Sequence, residues 1–160
     1  MPRPEIFCRP VAGPDEVALH HWIRHSIFVE EQSVFTGSDR DHHDDFASTI
    51  KVVAWADGVP GGAVRLYPVE PGIWQGDRLA VLGDFRAWNL GGPLVRFAVE
   101  TAAALGGTEM VAHVQVANVR FFERLGWCRR GEPELYVGLP HQLMSIDLTV
   151  RVGDRSPARS

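Results

Sequence analysis

A chain of 160 residues is the size of one ordinary domain, and 45% hydrophobic with 22% charged residues is the balance of a soluble globular fold. The formal net charge of −4 argues against nucleic acid as a partner, because such binders present a basic face. Cys8 and Cys128 have no paired spacing, and neither an apolar leader nor a run of membrane length is present, so a reduced, cytoplasmic, non-membrane protein is expected.

Glu5–Val11 reads as a first strand, and Gly13-Pro14-Asp15-Glu16 punctuates the start of a helix. Leu19, Ile23 and Ile27 form its apolar stripe, which runs to about Gln32. The polar stretch Thr36–Asp45 is too acidic for a core element. Ile50–Ala56, the Asp57-Gly58 turn and Gly62–Tyr67 read as a hairpin, Pro68–Gly72 as a loop and Trp74–Leu82 as a strand. Gly91-Gly92-Pro93 opens the clearest helix, with Leu94, Phe97, Ala98, Thr101, Ala102 and Leu105 in helical spacing before Gly106-Gly107. Met110–Val116 is a strand, and Asn118 is a good N-cap for a short helix, Val119–Leu125. Trp127–Arg130, Leu135–Val137 and Leu143–Val150 complete an antiparallel end, and residues 151–160 read as a flexible polar tail. The alternation predicts a single α/β domain over 1–150, a mixed, mostly antiparallel sheet flanked by helices.

The most informative segment is Arg86-Ala-Trp-Asn89-Leu-Gly91-Gly92-Pro93, a loop of permissive residues between a strand and a helix N-terminus. Such a junction aims backbone N–H groups and the positive end of a helix dipole at one spot, which suits a pyrophosphate. The stretch resembles the acyl-CoA loop of the GNAT acyltransferases, Arg/Gln-x-x-Gly-x-Gly/Ala, with Asn89 at the middle glycine. Asparagine tolerates the left-handed backbone that such a loop requires. Downstream, Asn118-Val-Arg-Phe121-Phe122-Glu-Arg-Leu-Gly126-Trp127 is similar to the same family's "Asn…Phe-Tyr-Glu-Lys-Leu-Gly-Phe" segment. The two motifs stand in the family's order, on the matching elements.

The resemblance implies a GNAT fold with strands 4 and 5 splayed, and acetyl-CoA or another acyl-CoA as co-substrate. It implies that Leu79, Ala80 and Val81 hold the pantetheine arm through their backbone, and that Arg86, Asn89, Gly91, Gly92 and Asn118 serve the donor. No metal is implied. Many members use the tyrosine of the second motif as the acid that protonates the leaving thiolate, and here that position is Phe122. The acceptor half carries Arg24-His-Ser-Ile-Phe28-Val-Glu-Glu31, the run Asp39–Asp45, Arg65-Leu-Tyr-Pro68 and Trp74-Gln-Gly-Asp-Arg78. With these it resembles a GNAT subgroup of nitrogen-starvation gene clusters and, more distantly, acyl-homoserine-lactone synthases. It implies a small amine acceptor and the candidate substrate residues Arg24, Phe28, Asp39, Asp41, Asp44, Arg65 and Gln75.

For the cluster Asp39–Asp45, with His42 and His43, three readings stand open: a solvated acidic loop, an anionic wall for a cationic amine, or a divalent-metal site. Arg24 and Arg65 are expected to pair with this loop and order it. His113, beside the expected splay, and Glu31, at the end of the first helix, are the candidate bases. Tyr136, Pro140, His141 and Gln142 would bring polar groups back toward the site. The direct transfer reading competes with a synthase that takes its acyl group from a carrier protein, and with a non-catalytic acyl-CoA-binding domain. A homodimer is left open.

Overall fold

Strands form the centre of the fold. In the computed structural model, which describes residues 3–150, they are β1 (Ile6–Pro10), β2 (Ile50–Ala56), β3 (Val59–Glu70), β4 (Ile73–Val81), β5 (Glu109–Gln115), β6 (Cys128–Tyr136) and β7 (Leu139–Asp147). The expected tail at 151–160 lies outside the described residues. The strands form one sheet in the order β1-β2-β3-β4-β5-β7-β6. Only β4 and β5 run parallel, which is the arrangement that a helical crossover between them requires. That crossover is α2 (Gly91–Ala104).

Alternation along β2 divides the interior between the two faces of the sheet. Val52 and Ala54 face the larger cluster, with Leu94, Val95, Ala98 and Ala102 of α2 and Phe122 of α3 (Val119–Arg124). Val53 faces the smaller cluster, with Ile23 of α1 (Gly13–His25) and with Ile27 and Phe28 just beyond it. The first helix does reach Glu31, but Ser26–Glu31 widens into a π-helical turn, a departure from α-geometry that is often found beside functional sites.

Two expectations need correction. Pro68 does not begin a loop: β3 continues to Glu70, and a register shift follows Pro68 at the end of the ladder, where a missing N–H costs little. The two short strands expected after Trp127 are one strand, β6, interrupted between Arg130 and Glu134 by an irregularity that contains Gly131 (φ 66°) and Pro133. Asn118 does stand at the N-cap of α3, yet its side chain makes no capping bond.

The β6–β7 turn places Val137 at φ 51° and Gly138 at φ 78°. A β-branched residue is strained in the left-handed region by about 1–2 kcal/mol, whereas asparagine is at home there. Val137→Asn is expected to raise the unfolding free energy by about 0.5–1 kcal/mol, read as a higher urea midpoint with an unchanged slope. A lower midpoint would show that the valine side chain contributes packing that outweighs its strain.

Candidate active site

β4 and β5 pair only at Ile73–Glu109, Trp74–Met110 and Gln75–Val111, and then separate. The divergence begins at a bulge in β4. From Ala63 to Arg65 on β3 is two steps, while the matching stretch from Ala80 to Asp77 on β4 is three. The extra residue places Arg78 in the left-handed region, at φ 54°. Such a backbone persists only where its surroundings enforce it. Here Arg78 is tied down by its own guanidinium, which donates from Nε (3.2 Å) and Nη2 (3.0 Å) to the Asp39 carbonyl.

The gap opens into a cavity of about 140 Å³ that reaches both faces of the sheet. Val95, Ala98 and Met110 line it from the α2 side, and Phe28 and Phe35 from the α1 side. Beyond Gln75 the β4 edge that faces β5 has no strand partner among the described residues, so its main-chain polar groups are left for something else to satisfy.

Among the described residues, five ionisable side chains line the cavity: Asp77, Arg78, His113, Tyr136 and His141. Asp77 accepts from Arg65 Nε (2.7 Å) and Nη2 (2.8 Å) and from the Tyr67 hydroxyl (3.0 Å), so it is fully engaged. The other three form a stack of rings. Tyr136 lies face to face with His113 (centroids 5.3 Å apart) and edge-on to His141 (5.2 Å). His113 is exposed and is steadied by that stacking, with no hydrogen bond to it among the described residues. His141 is 7% exposed, with Nδ1 2.9 Å from the Leu139 carbonyl. Phe122 is packed edge-on against Phe121 and Trp127 and supplies no proton.

A second group of donors gathers at the start of α2. Gly83–Trp88 forms a 3-10 turn, and Asn89 follows it at φ 55°, ψ 50°, so the asparagine does take the left-handed backbone expected of it. A Cβ on Gly91 would come within 3.3 Å of the Phe121 ring, so glycine there lets α3 pack close to α2. A Cβ on Gly92 would meet Arg96 Nη1 at 3.4 Å and Asn89 Nδ2 at 3.7 Å. Two side-chain donors thus flank a helix N-terminus whose first N–H groups have no acceptor within the helix. Arg96 escaped the sequence reading; its position one turn after Gly92 was the available signal.

The acidic loop settles into a buried ion network rather than a solvated run. Arg24, fully buried, uses every N–H it has. It donates to Asp39 Oδ2 (2.7 Å), to both oxygens of Asp44 (2.7 and 3.0 Å), to the Asp39 carbonyl (3.4 Å) and to His20 Nε2 (3.2 Å). Arg65, also fully buried, grips Asp77 and Asp41 with two forks. Burial alone would raise the Asp44 carboxyl; the bonds and charge of Arg24 outweigh it and hold that group well below the usual range. The loop is further fixed by a 3-10 turn, His42–Asp45, with a capping box between Asp41 and Asp44. His43 stacks on Tyr67, and no group of three or more metal-ligating side chains exists among the described residues.

Of the residues singled out in the sequence, Phe28, Gln75, Leu79, His113 and Asn118 line the cavity. Arg24, Asp39, Asp41, Asp44 and Arg65 are gathered instead into the network that backs it. The side chain of Ala80 is buried in the smaller cluster on the α1 side, while Val81 packs at the edge of the larger one. Glu31 does not reach the cavity: it accepts from Arg86 Nη2 at 2.7 Å, so a candidate base and a candidate donor ligand neutralise each other in this structure.

The chain matches the model of the acetyltransferase (GNAT) family over residues 17–127. It is 30% identical over 128 residues to the uncharacterized N-acetyltransferase YjcF of Bacillus subtilis (strain 168), which covers 79% of this chain and 89% of that protein. Among solved structures, it superposes with a TM-score of 0.76 at 23% identity on an acyl-CoA N-acyltransferase from Pseudomonas aeruginosa, over 89% of this chain and 99% of that one. It also superposes on the CoA-dependent acyl-homoserine lactone synthase BjaI with a TM-score of 0.71 at 21% identity, over 98% and 92% of the two chains. The cavity between diverging parallel strands and the family match agree, and the chain is an acyltransferase of the GNAT family.

Proposed function

We propose that the protein transfers an acyl group, acetyl in the simplest case, from coenzyme A to a small amine by direct attack within a ternary complex. The observation that carries this reading is the cavity itself, open to both faces of the sheet at the bulge of β4. Two reactants can then meet from opposite sides without displacing each other, which is what direct transfer needs.

The local chemistry suits a chain of amides that ends in phosphates. The unpartnered edge of β4 offers main-chain donors and acceptors to amides, as a neighbouring strand would. The start of α2, with Asn89 and Arg96 beside Gly92, offers donors and positive charge to a pyrophosphate. On the other face, Phe28, Phe35 and Gln75 form the wall against which an acceptor would rest. Since its carboxylates are engaged by arginines, the acidic loop shapes that wall instead of binding the amine's charge.

Isothermal titration with acetyl-CoA is expected to show one-to-one binding. Arg96→Ala should weaken it about tenfold, the equivalent of one charge-assisted hydrogen bond. Release of CoA thiol in the presence of primary amines completes the test. Absence of binding by acetyl-CoA and by longer acyl-CoA thioesters would overturn the proposal.

A further inference from the structure

Phe122 leaves this chain without the hydroxyl that its second motif would otherwise place at the cavity, and the geometry points to His141 as the group that moves the proton. The inference rests on the transfer reaction proposed above. It starts from the lining of the cavity. Both oxygens of Asp77 are bonded, by Arg65 and Tyr67, and the guanidinium of Arg78 is bonded to the Asp39 carbonyl. The stack of His113, Tyr136 and His141 is what remains.

The two histidines differ in one decisive respect. A carbonyl oxygen can only accept, so the 2.9 Å contact with Leu139 requires a proton on His141 Nδ1. In the neutral ring Nε2 is then the unprotonated nitrogen. Among the described residues it has no bonded partner, and it is not one of their sealed, unpartnered polar atoms. One hydrogen bond therefore fixes both the tautomer and the ring plane, as the orienting partner of a catalytic histidine must. His113 has no such bond, and its two tautomers are equivalent in this respect.

The three rings also line a surface groove with Arg130, Glu132 and Glu134, so they stand between the cavity and bulk water. In the step inferred, the amine nitrogen attacks the thioester carbonyl carbon, and the N–C bond forms. His141 Nε2 accepts the proton that nitrogen sheds. The C–S bond then breaks with its electron pair on sulfur, and the imidazolium returns the proton to the thiolate, giving amide and free CoA thiol. Tyr136 touches both histidine rings and acts as a positioning residue.

Bromoacetyl-CoA tests the geometry without a known acceptor, because an imidazole nitrogen beside the bound thioester displaces its bromide. Peptide mass mapping should find a CoA-protectable adduct on His141, absent in His141→Asn. With any amine that the enzyme accepts, His141→Asn should lower kcat by about 10²- to 10⁴-fold while leaving acetyl-CoA affinity within twofold, and added imidazole should restore part of the rate. His113→Ala should lower the rate less than His141→Asn does, since it leaves the Leu139 bond of His141 in place. A protectable adduct on another residue, no protectable adduct although acetyl-CoA binds, or turnover by His141→Asn near that of the wild type would overturn the assignment. Failure of acetyl-CoA to bind at all would remove the donor reading beneath it.

Discussion

Arg24→Ala is expected to cost about 3–5 kcal/mol of unfolding free energy, which is a large part of the total for a domain of this size. The reason is what the substitution leaves behind. Asp39 and Asp44 have side chains only 2% and 5% exposed, and both lose their main cation when Arg24 is truncated. Arg78, 3.3 Å from Asp39, and Arg65, 3.1 Å from Asp44, remain, but both already serve other acceptors. The two buried carboxylates are left under-compensated, whereas the same pairs at the surface would contribute about 1 kcal/mol or less.

Charge balance sharpens the expectation. Arg24, Arg65 and Arg78, with Lys51 donating to the Asp44 carbonyl, face Asp39, Asp41, Asp44 and Asp77, so the cluster is neutral as built and anionic after the truncation. Urea titration should show the midpoint fall with the slope unchanged. Arg24→Ala combined with Asp44→Ala should cost less than the two single changes added together, since each removes the other's stranded partner. A loss below about 1 kcal/mol for Arg24→Ala would mean that water reaches the cluster and replaces the guanidinium. The consequence for function runs through Asp39, whose carbonyl anchors Arg78 at the bulge and so fixes the mouth of the cavity.

The sheet and its helices were legible because hydrophobic periodicity and turn residues are local signals. The stripe Leu94, Phe97, Ala98, Thr101 and Ala102 gave α2, and Asp57-Gly58 gave the first hairpin turn. The donor side was legible for a related reason: Asn89, Gly91 and Gly92 must have particular backbones, and residue type reports backbone freedom. The chemistry on the acceptor side was harder to see. Asp39, Asp41 and Asp44 look like a solvated run until Arg24, Arg65 and Arg78 arrive from α1, β3 and β4, and those pairings span 15 to 39 positions. Glu31 appeared free because nothing nearby in sequence announces Arg86, 55 residues away. His141 was visible only as part of a polar segment; its value lies in a carbonyl two residues back and a tyrosine across the turn.

The same network makes the protein labile to acid, and the direction follows from its histidines. His20 is fully buried, with Nδ1 3.0 Å from the Val52 carbonyl and Nε2 3.2 Å from Arg24 Nη1, so it is neutral with the proton on Nδ1. Burial first, and then the charge of Arg24, push its pKa down to about 3. His21 is pushed down to about 4, again chiefly by burial and then by Arg24. In the unfolded chain both take up a proton near pH 6.5, and in the folded chain neither does until far lower. Between those limits the unfolded state binds more protons, so stability must fall as pH falls. His20 alone accounts for about 2 kcal/mol between pH 7 and pH 5, with His21 adding in the same direction down to about pH 4. The aspartates act lower down. Asp41 and Asp44 are held below their ordinary values despite burial, because Arg65 and Arg24 outweigh it, so their contribution is present above that ordinary value and is lost as pH falls through the folded one. Urea midpoints measured from pH 7 to pH 5 should therefore decline steadily. His20→Asn, whose amide can still donate to the Val52 carbonyl, should remove about half of that slope even if it lowers the midpoint at pH 7. An unchanged slope in His20→Asn would mean that His20 accepts its proton inside the fold, with Arg24 shifting away to make room for the charge.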